Sequence, residues 1–152
     1  MSYNGFKIRV QESDPNTNGV FDTSDNPFTI QPPKITLIYP VGGEIFTAGR
    51  NLNIVWRGAG VINNIDIVLE GGGSFGSVNM VIANNIPAAP SGIDYLPSYD
   101  GQFNWTISTS GIGDIRPYYF ITVREHNPDC LGLCIYSKNS NPFWIQPRIP
   151  FL

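Results

Sequence analysis

The chain has 152 residues, 41% of them apolar and 14% charged, with a net charge of −3. That length holds one domain plus an extension, and its nine Lys and Arg are scattered, which excludes an electrostatic footprint for nucleic acid or an anionic membrane. No run approaches the roughly 18 apolar residues of a membrane span, and Met1-Ser2-Tyr3-Asn4-Gly5 opens no secretory signal, so a mature chain or a fragment without membrane insertion is expected.

The first element is a strand pair. Phe6, Ile8 and Val10 alternate with Lys7, Arg9 and Gln11, which puts the apolar residues on one face, and Phe28 and Ile30 alternate in the segment Asn26–Pro32. Between them, Asp14, Asn16, Asn18, Val20, Asp22 and Asp25 stand at the spacing of a calcium loop. Side-chain oxygens would come from the first three, the sharp turn from Gly19 and a carbonyl from Val20. Calcium takes six to eight hard oxygens, hence the interest of the cluster. The competing reading is that Asp, Asn and Gly simply build the turn, and strands here replace the usual flanking helices.

Further strands are expected at Ile35–Tyr39, Glu44–Phe46, Leu52–Trp56, Ile65–Leu69, Val78–Ala83, Phe103–Ile107, Tyr118–Glu125, Ile135–Ser137 and Phe143–Ile145. Turns are expected at Pro40-Val41-Gly42-Gly43, Ala48-Gly49, Gly71-Gly72-Gly73, Asn84-Asn85 and Asp100-Gly101. This spacing predicts an all-β chain: an immunoglobulin- or fibronectin-like β-sandwich over residues 33–147 with Trp56 and Trp105 in the core, an N-terminal strand pair over 1–32, and a tail over 148–152.

The strand pair is a partial repeat of the end of the sandwich. Phe6-Lys7-Ile8-Arg9-Val10-Gln11-Glu12 aligns with Tyr119-Phe120-Ile121-Thr122-Val123-Arg124-Glu125 at an offset of 113 residues. Asn26-Pro27-Phe28-Thr29-Ile30-Gln31-Pro32 aligns with Asn141-Pro142-Phe143-Trp144-Ile145-Gln146-Pro147 at an offset of 115. An isolated strand pair cannot bury its apolar face, so the copy needs a host.

Little in the chain suggests chemistry. Gly72-Gly73-Ser74-Phe75-Gly76 spells a nucleophile-elbow pattern, but a strand follows where a helix is required, and the single histidine, His126, lies in a loop. No acid, base and metal set can be assembled, and no enzyme is expected. The two cysteines, Cys130 and Cys134, leave three readings open: a local disulfide in an oxidising compartment, two free thiols, or half of a metal site, although zinc lacks further ligands. Asn104-Trp105-Thr106 is an N-glycosylation sequon with Asn104 on the outward face. Tyr95, Tyr99, Tyr118 and Phe120 could stack on a sugar ring, or pack a sheet edge.

Ile38-Tyr39-Pro40-Val41-Gly42-Gly43-Glu44-Ile45-Phe46-Thr47-Ala48-Gly49, followed by Leu52-Asn53-Ile54-Val55-Trp56, resembles the opening of the Ser/Thr-rich, GPI-anchored cell-wall domain family, the Knh-like domains of yeast cell-wall synthesis. Ile65–Leu69, Gly101–Ile107, Tyr119–Val123 and Ser140–Ile145 resemble its later marks. The resemblance implies an extracellular immunoglobulin-like module, often in tandem, with no catalytic residues. Two functions follow as expectations. One is a structural subunit of a head-to-tail filament or surface array, a homopolymer in which Phe6, Ile8, Val10, Phe28 and Ile30 form the subunit interface by strand addition. The other is a module that binds cell-wall glucan.

Overall fold

The computed structural model describes residues 3–13, 19–73, 76–90, 98–108, 118–127 and 134–147. The chain divides into two compact units, Met1–Pro32 and Pro33–Leu152. Among the described residues there is no helix, and hence none long and apolar enough to cross a membrane.

The first unit is an antiparallel ribbon of four short strands: β1 (Tyr3–Phe6), β2 (Arg9–Gln11), β3 (Phe21–Thr23) and β4 (Phe28–Ile30). β1 pairs with β4 and β2 with β3, so the ribbon is one long hairpin interrupted near Ile8. The interruption has a cause. The Ile8 N–H donates to Ser24 Oγ at 3.2 Å, while the Ser24 N–H returns a bond to the Ile8 carbonyl at 2.9 Å. A side chain thus takes a place that the backbone ladder would otherwise fill.

The second unit contains β5 (Lys34–Tyr39), β6 (Ile45–Thr47), β7 (Asn51–Ala59), β8 (Asn64–Gly73), β9 (Gly76–Pro87), β10 (Tyr99–Thr106), β11 (Tyr118–Glu125), β12 (Tyr136–Lys138) and β13 (Trp144–Gln146). One sheet runs β10-β7-β5 and the other β12-β11-β8-β9, and β13 pairs in parallel with β6. Alternate residues of both sheets meet in a single core: Leu52, Ile54, Trp56 and Trp105 from one, Ile65, Ile67, Leu69, Tyr119, Ile121 and Val123 from the other. This is the β-sandwich that period-two alternation predicts, with Trp56 and Trp105 inside it. The Trp56 Nε1–H donates to the Ala88 carbonyl at 2.9 Å, so the buried indole keeps its polar edge satisfied.

Three expected turns lie within strands instead. Gly71 sits in β8 opposite Tyr119, and an added Cβ would come 3.0 Å from that ring. Gly101 sits in β10 opposite Trp56, where an added Cβ would overlap the indole. Both glycines make room for an aromatic ring rather than turn the chain. Asn84-Asn85 forms an irregularity in β9: Asn85 has φ 55° and its N–H donates to Asp66 Oδ1 at 2.9 Å. Pro40–Gly43 turns as expected, closed by the Glu44 carboxylate, which accepts from the Val41 and Gly42 N–H groups at 2.9 and 2.7 Å. The following strand begins at Ile45, one residue later than predicted.

Candidate assembly interface

The repeat seen in the sequence is a repeat of structure down to single hydrogen bonds. In the ribbon, Arg9, Val10 and Gln11 pair with Thr23, Asp22 and Phe21. In the sandwich, Thr122, Val123 and Arg124 pair with Lys138, Ser137 and Tyr136, the same register after offsets of 113 and 115. The Ser24 device recurs as well. The Ile121 N–H donates to Asn139 Oδ1 at 2.6 Å and the Asn139 N–H donates to the Ile121 carbonyl at 3.3 Å. At the hairpin mouths, the Glu12 N–H donates to the Val20 carbonyl at 3.0 Å and the Glu125 N–H to the Ile135 carbonyl at 2.8 Å. The Phe6 and Phe28 rings stand 6.1 Å apart at 38°; the Tyr119 and Phe143 rings stand 6.1 Å apart at 36°.

The two copies differ in what covers them. Tyr119, Ile121, Val123 and Phe143 are 0% exposed and Ile145 5%. Their ribbon counterparts are open: Phe6 and Phe28 39%, Ile30 48%, Ile8 60% and Val10 69%. The five residues predicted as an interface therefore form an apolar strip presented to solvent. Val20 and Phe21 are exposed as well, Phe21 on the face of Arg9 and Gln11, where the Arg9 guanidinium lies 4.2 Å from its ring centroid. Exposed apolar surface on a strand ribbon marks an interaction site or an aggregation liability.

The copies also part company at their ends. After the Tyr119–Phe143 bridge, residues Trp144–Gln146 leave β11 and join β6 in parallel. Among its described residues the ribbon holds no strand equivalent to β6, and Phe28–Ile30 stays against Tyr3–Phe6, with a register irregularity eased by Gly5 at φ +86°.

Of the other expected sites, Asp14, Asn16 and Asn18 lie outside the described residues. The remaining calcium candidates have visible roles in the ribbon: the Val20 carbonyl accepts from Glu12, Asp22 Oδ1 accepts from the Thr23 N–H at 2.9 Å, and the Asp25 carbonyl accepts from Lys7 Nζ at 3.1 Å. No group of three or more acidic, His or Cys side chains gathers among the described residues. Cys134 is disulfide-bonded; Cys130, the only other cysteine, lies outside them. Asn104 is exposed on β10, beside Thr106, whose hydroxyl donates to Asn51 Oδ1 at 2.8 Å.

The sugar-stacking set does not come together. Tyr95 is outside the described residues, and Tyr99, expected on the surface, is buried in the core against Gly58, where burial pushes its phenol up from its ordinary pKa. Tyr118 is exposed but meets Trp144 edge-on at 63°, and Phe120 lies under the Lys138 ammonium at 4.5 Å. Neither arrangement offers a flat platform.

One cluster escaped the sequence reading. Asp66, buried in β8, accepts from Asn85, lies 2.7 Å from His126 Nδ1 and 3.6 Å from Arg124 Nε. These groups pin the irregularity in β9 to the end of β11; only the odd Asn-Asn pair in a strand hinted at it.

No protein-family profile matches this chain, and no curated protein sequence matches it. Among solved structures, the fibronectin(III)-like modules of Clostridium thermocellum CbhA are similar at 18% identity and a TM-score of 0.39, over 77% of this chain and 99% of theirs. At that distance, strand order and packing are what define the fold here.

Proposed function

We propose that this chain is a structural link of an extracellular array of β-sandwiches set head to tail, in which the ribbon is added to a sandwich other than the one it precedes. The observation behind this reading is the contrast between two copies of one hairpin: same register, same ring pair, one sealed in a core and the other open to water. Backbone pairing would supply strength, and the alternating Phe6, Ile8 and Val10 would fix the register, because a slip of one residue turns every side chain to the wrong face. The disulfide at Cys134 fits an oxidising location outside the cell. No convergent catalytic set and no flat aromatic surface among the described residues supports an enzyme or a glucan module.

The decisive measurement is deletion of residues 1–32. A ribbon meant for another host contributes nothing to its own sandwich, so the deleted chain should unfold in urea within about 0.5 kcal/mol of the intact one. A loss of several kcal/mol would make the ribbon part of its own sandwich and end this reading.

A further inference from the structure

The ribbon's open face restricts what can receive it. We infer that its host is a β-sandwich body of this chain's own kind that lacks its last three strands, and that the intact sandwich of another copy is not the host. This inference rests on the strand-addition reading above and names the partner.

In the second unit, the position that the ribbon copies is already filled. β11 pairs with β8 along eight residues, from Tyr118 opposite Gly72 to Glu125 opposite Ile65, and with β12 on its other side. A ribbon arriving from another molecule would have to displace a hairpin held at the high effective concentration of the same chain. The free edges offer a poorer fit. Beside β9 or β10 the ribbon could satisfy backbone groups, but neither edge repeats the Leu69 and Ile67 partners that Ile121 and Val123 have on β8, and the apolar face is the part that needs burial.

A body equivalent to residues 33–117 of this chain, without β11 to β13, provides what is missing. Opposite Ile8 and Val10 it would set the equivalents of Leu69 and Ile67, which face Ile121 and Val123 in the complete sandwich. Opposite Phe6 it would set the equivalent of Gly71, whose lack of a side chain leaves space for the ring. The charges match too. Glu70 is opposite Phe120 and bonded to Lys138, which stands over that ring. At the ribbon positions that correspond to Phe120 and Lys138 stand Lys7 and Thr23. The cation has moved from the β12 position to the β11 position and would still meet the equivalent carboxylate. The equivalent of β6 would offer Thr29–Gln31, which align with Trp144–Gln146, the parallel partner that β13 has.

The experiment mixes the intact chain with a separate fragment of residues 33–117 as the probe. A one-to-one complex is expected, in which the amides of Arg9 and Gln11, which point away from β3 as those of Thr122 and Arg124 point away from β12, gain at least about 100-fold protection from hydrogen exchange. The double variant Ile8→Asp, Val10→Asp should weaken the complex by about 100-fold or more, since two carboxylates would enter an apolar core. If the fragment proves insoluble alone, it is fused ahead of Tyr3, and a second cooperative unfolding transition sensitive to the same double variant is expected. A soluble fragment that leaves the ribbon amides unprotected, a complex indifferent to the double variant, or a fusion with one transition only would each overturn the proposal. Because the deletion of residues 1–32 reads the ribbon's independence and this experiment reads its partner, the two can fail separately.

Discussion

Asn139 and Ser24 perform the same task in two environments, which makes them a controlled comparison of burial. Each side-chain oxygen accepts the N–H that a regular ladder would have used, from Ile121 in one case and Ile8 in the other. Around Asn139 the site is closed, and its amide also donates to the Asn141 carbonyl. Asn139→Ala should therefore strand a buried N–H and cost about 1–3 kcal/mol, while Ser24→Ala, with water at hand, should stay within about 0.5 kcal/mol. Urea unfolding of each variant checks the pair. Glu70 allows a test by pH. Burial pushes its carboxyl up, but the Lys138 ammonium hydrogen-bonded to it, together with the Arg124 charge, outweighs that and holds it below its ordinary value of 4.5. A carboxyl lowered in the folded state stabilises the fold above its unfolded value and loses that contribution as pH falls through the folded value. Lys138→Met removes the largest part of that pull and leaves the Arg124 charge to oppose burial. Its destabilisation should be largest near pH 7 and shrink as pH falls and the carboxyl protonates, as unfolding midpoints measured from pH 7 downward would reveal.

At the level of elements, alternation was enough to locate the strands and their inward faces, because a half-buried strand writes its two environments into successive residues. The duplicated hairpin was legible for the same reason, and the structural repeat carries its register into three dimensions. What local sequence could not express was the role of Gly71, Gly101 and Gly58. A glycine that bends the chain and one that clears space for a ring on the neighbouring strand read alike until the partner is known, and those partners are Tyr119, Trp56 and Tyr99. The burial of Tyr99 follows from Gly58, about forty residues upstream, and no short window contains both. The Ser24 and Asn139 devices were visible only as aligned polar residues between two strand segments, with nothing to distinguish them from loop composition.

For the molecule as a whole, the outer face of the β10-β7-β5 sheet is polar and open: Asn53 donates to Gln102 at 3.3 Å, Thr106 to Asn51, and Arg57 makes a two-pronged bond to Asp100 at 2.7 and 3.0 Å. Asn104 is on this face, so a secretory host that glycosylates should add one glycan there. Intact mass should fall by one glycan in Asn104→Gln, and an unchanged mass would show the sequon to be idle.

The different courses of β4 and β13 have a consequence for how such a chain survives before it meets a host. While idle, residues Phe28–Ile30 are occupied against Tyr3–Phe6, so the segment that would otherwise offer a bare ladder to any stray strand is already engaged. Joining a host would require that short zipper to be released and re-formed elsewhere. The ribbon is in this sense stored closed along one margin, a safeguard against indiscriminate pairing built from three residues and one permissive glycine.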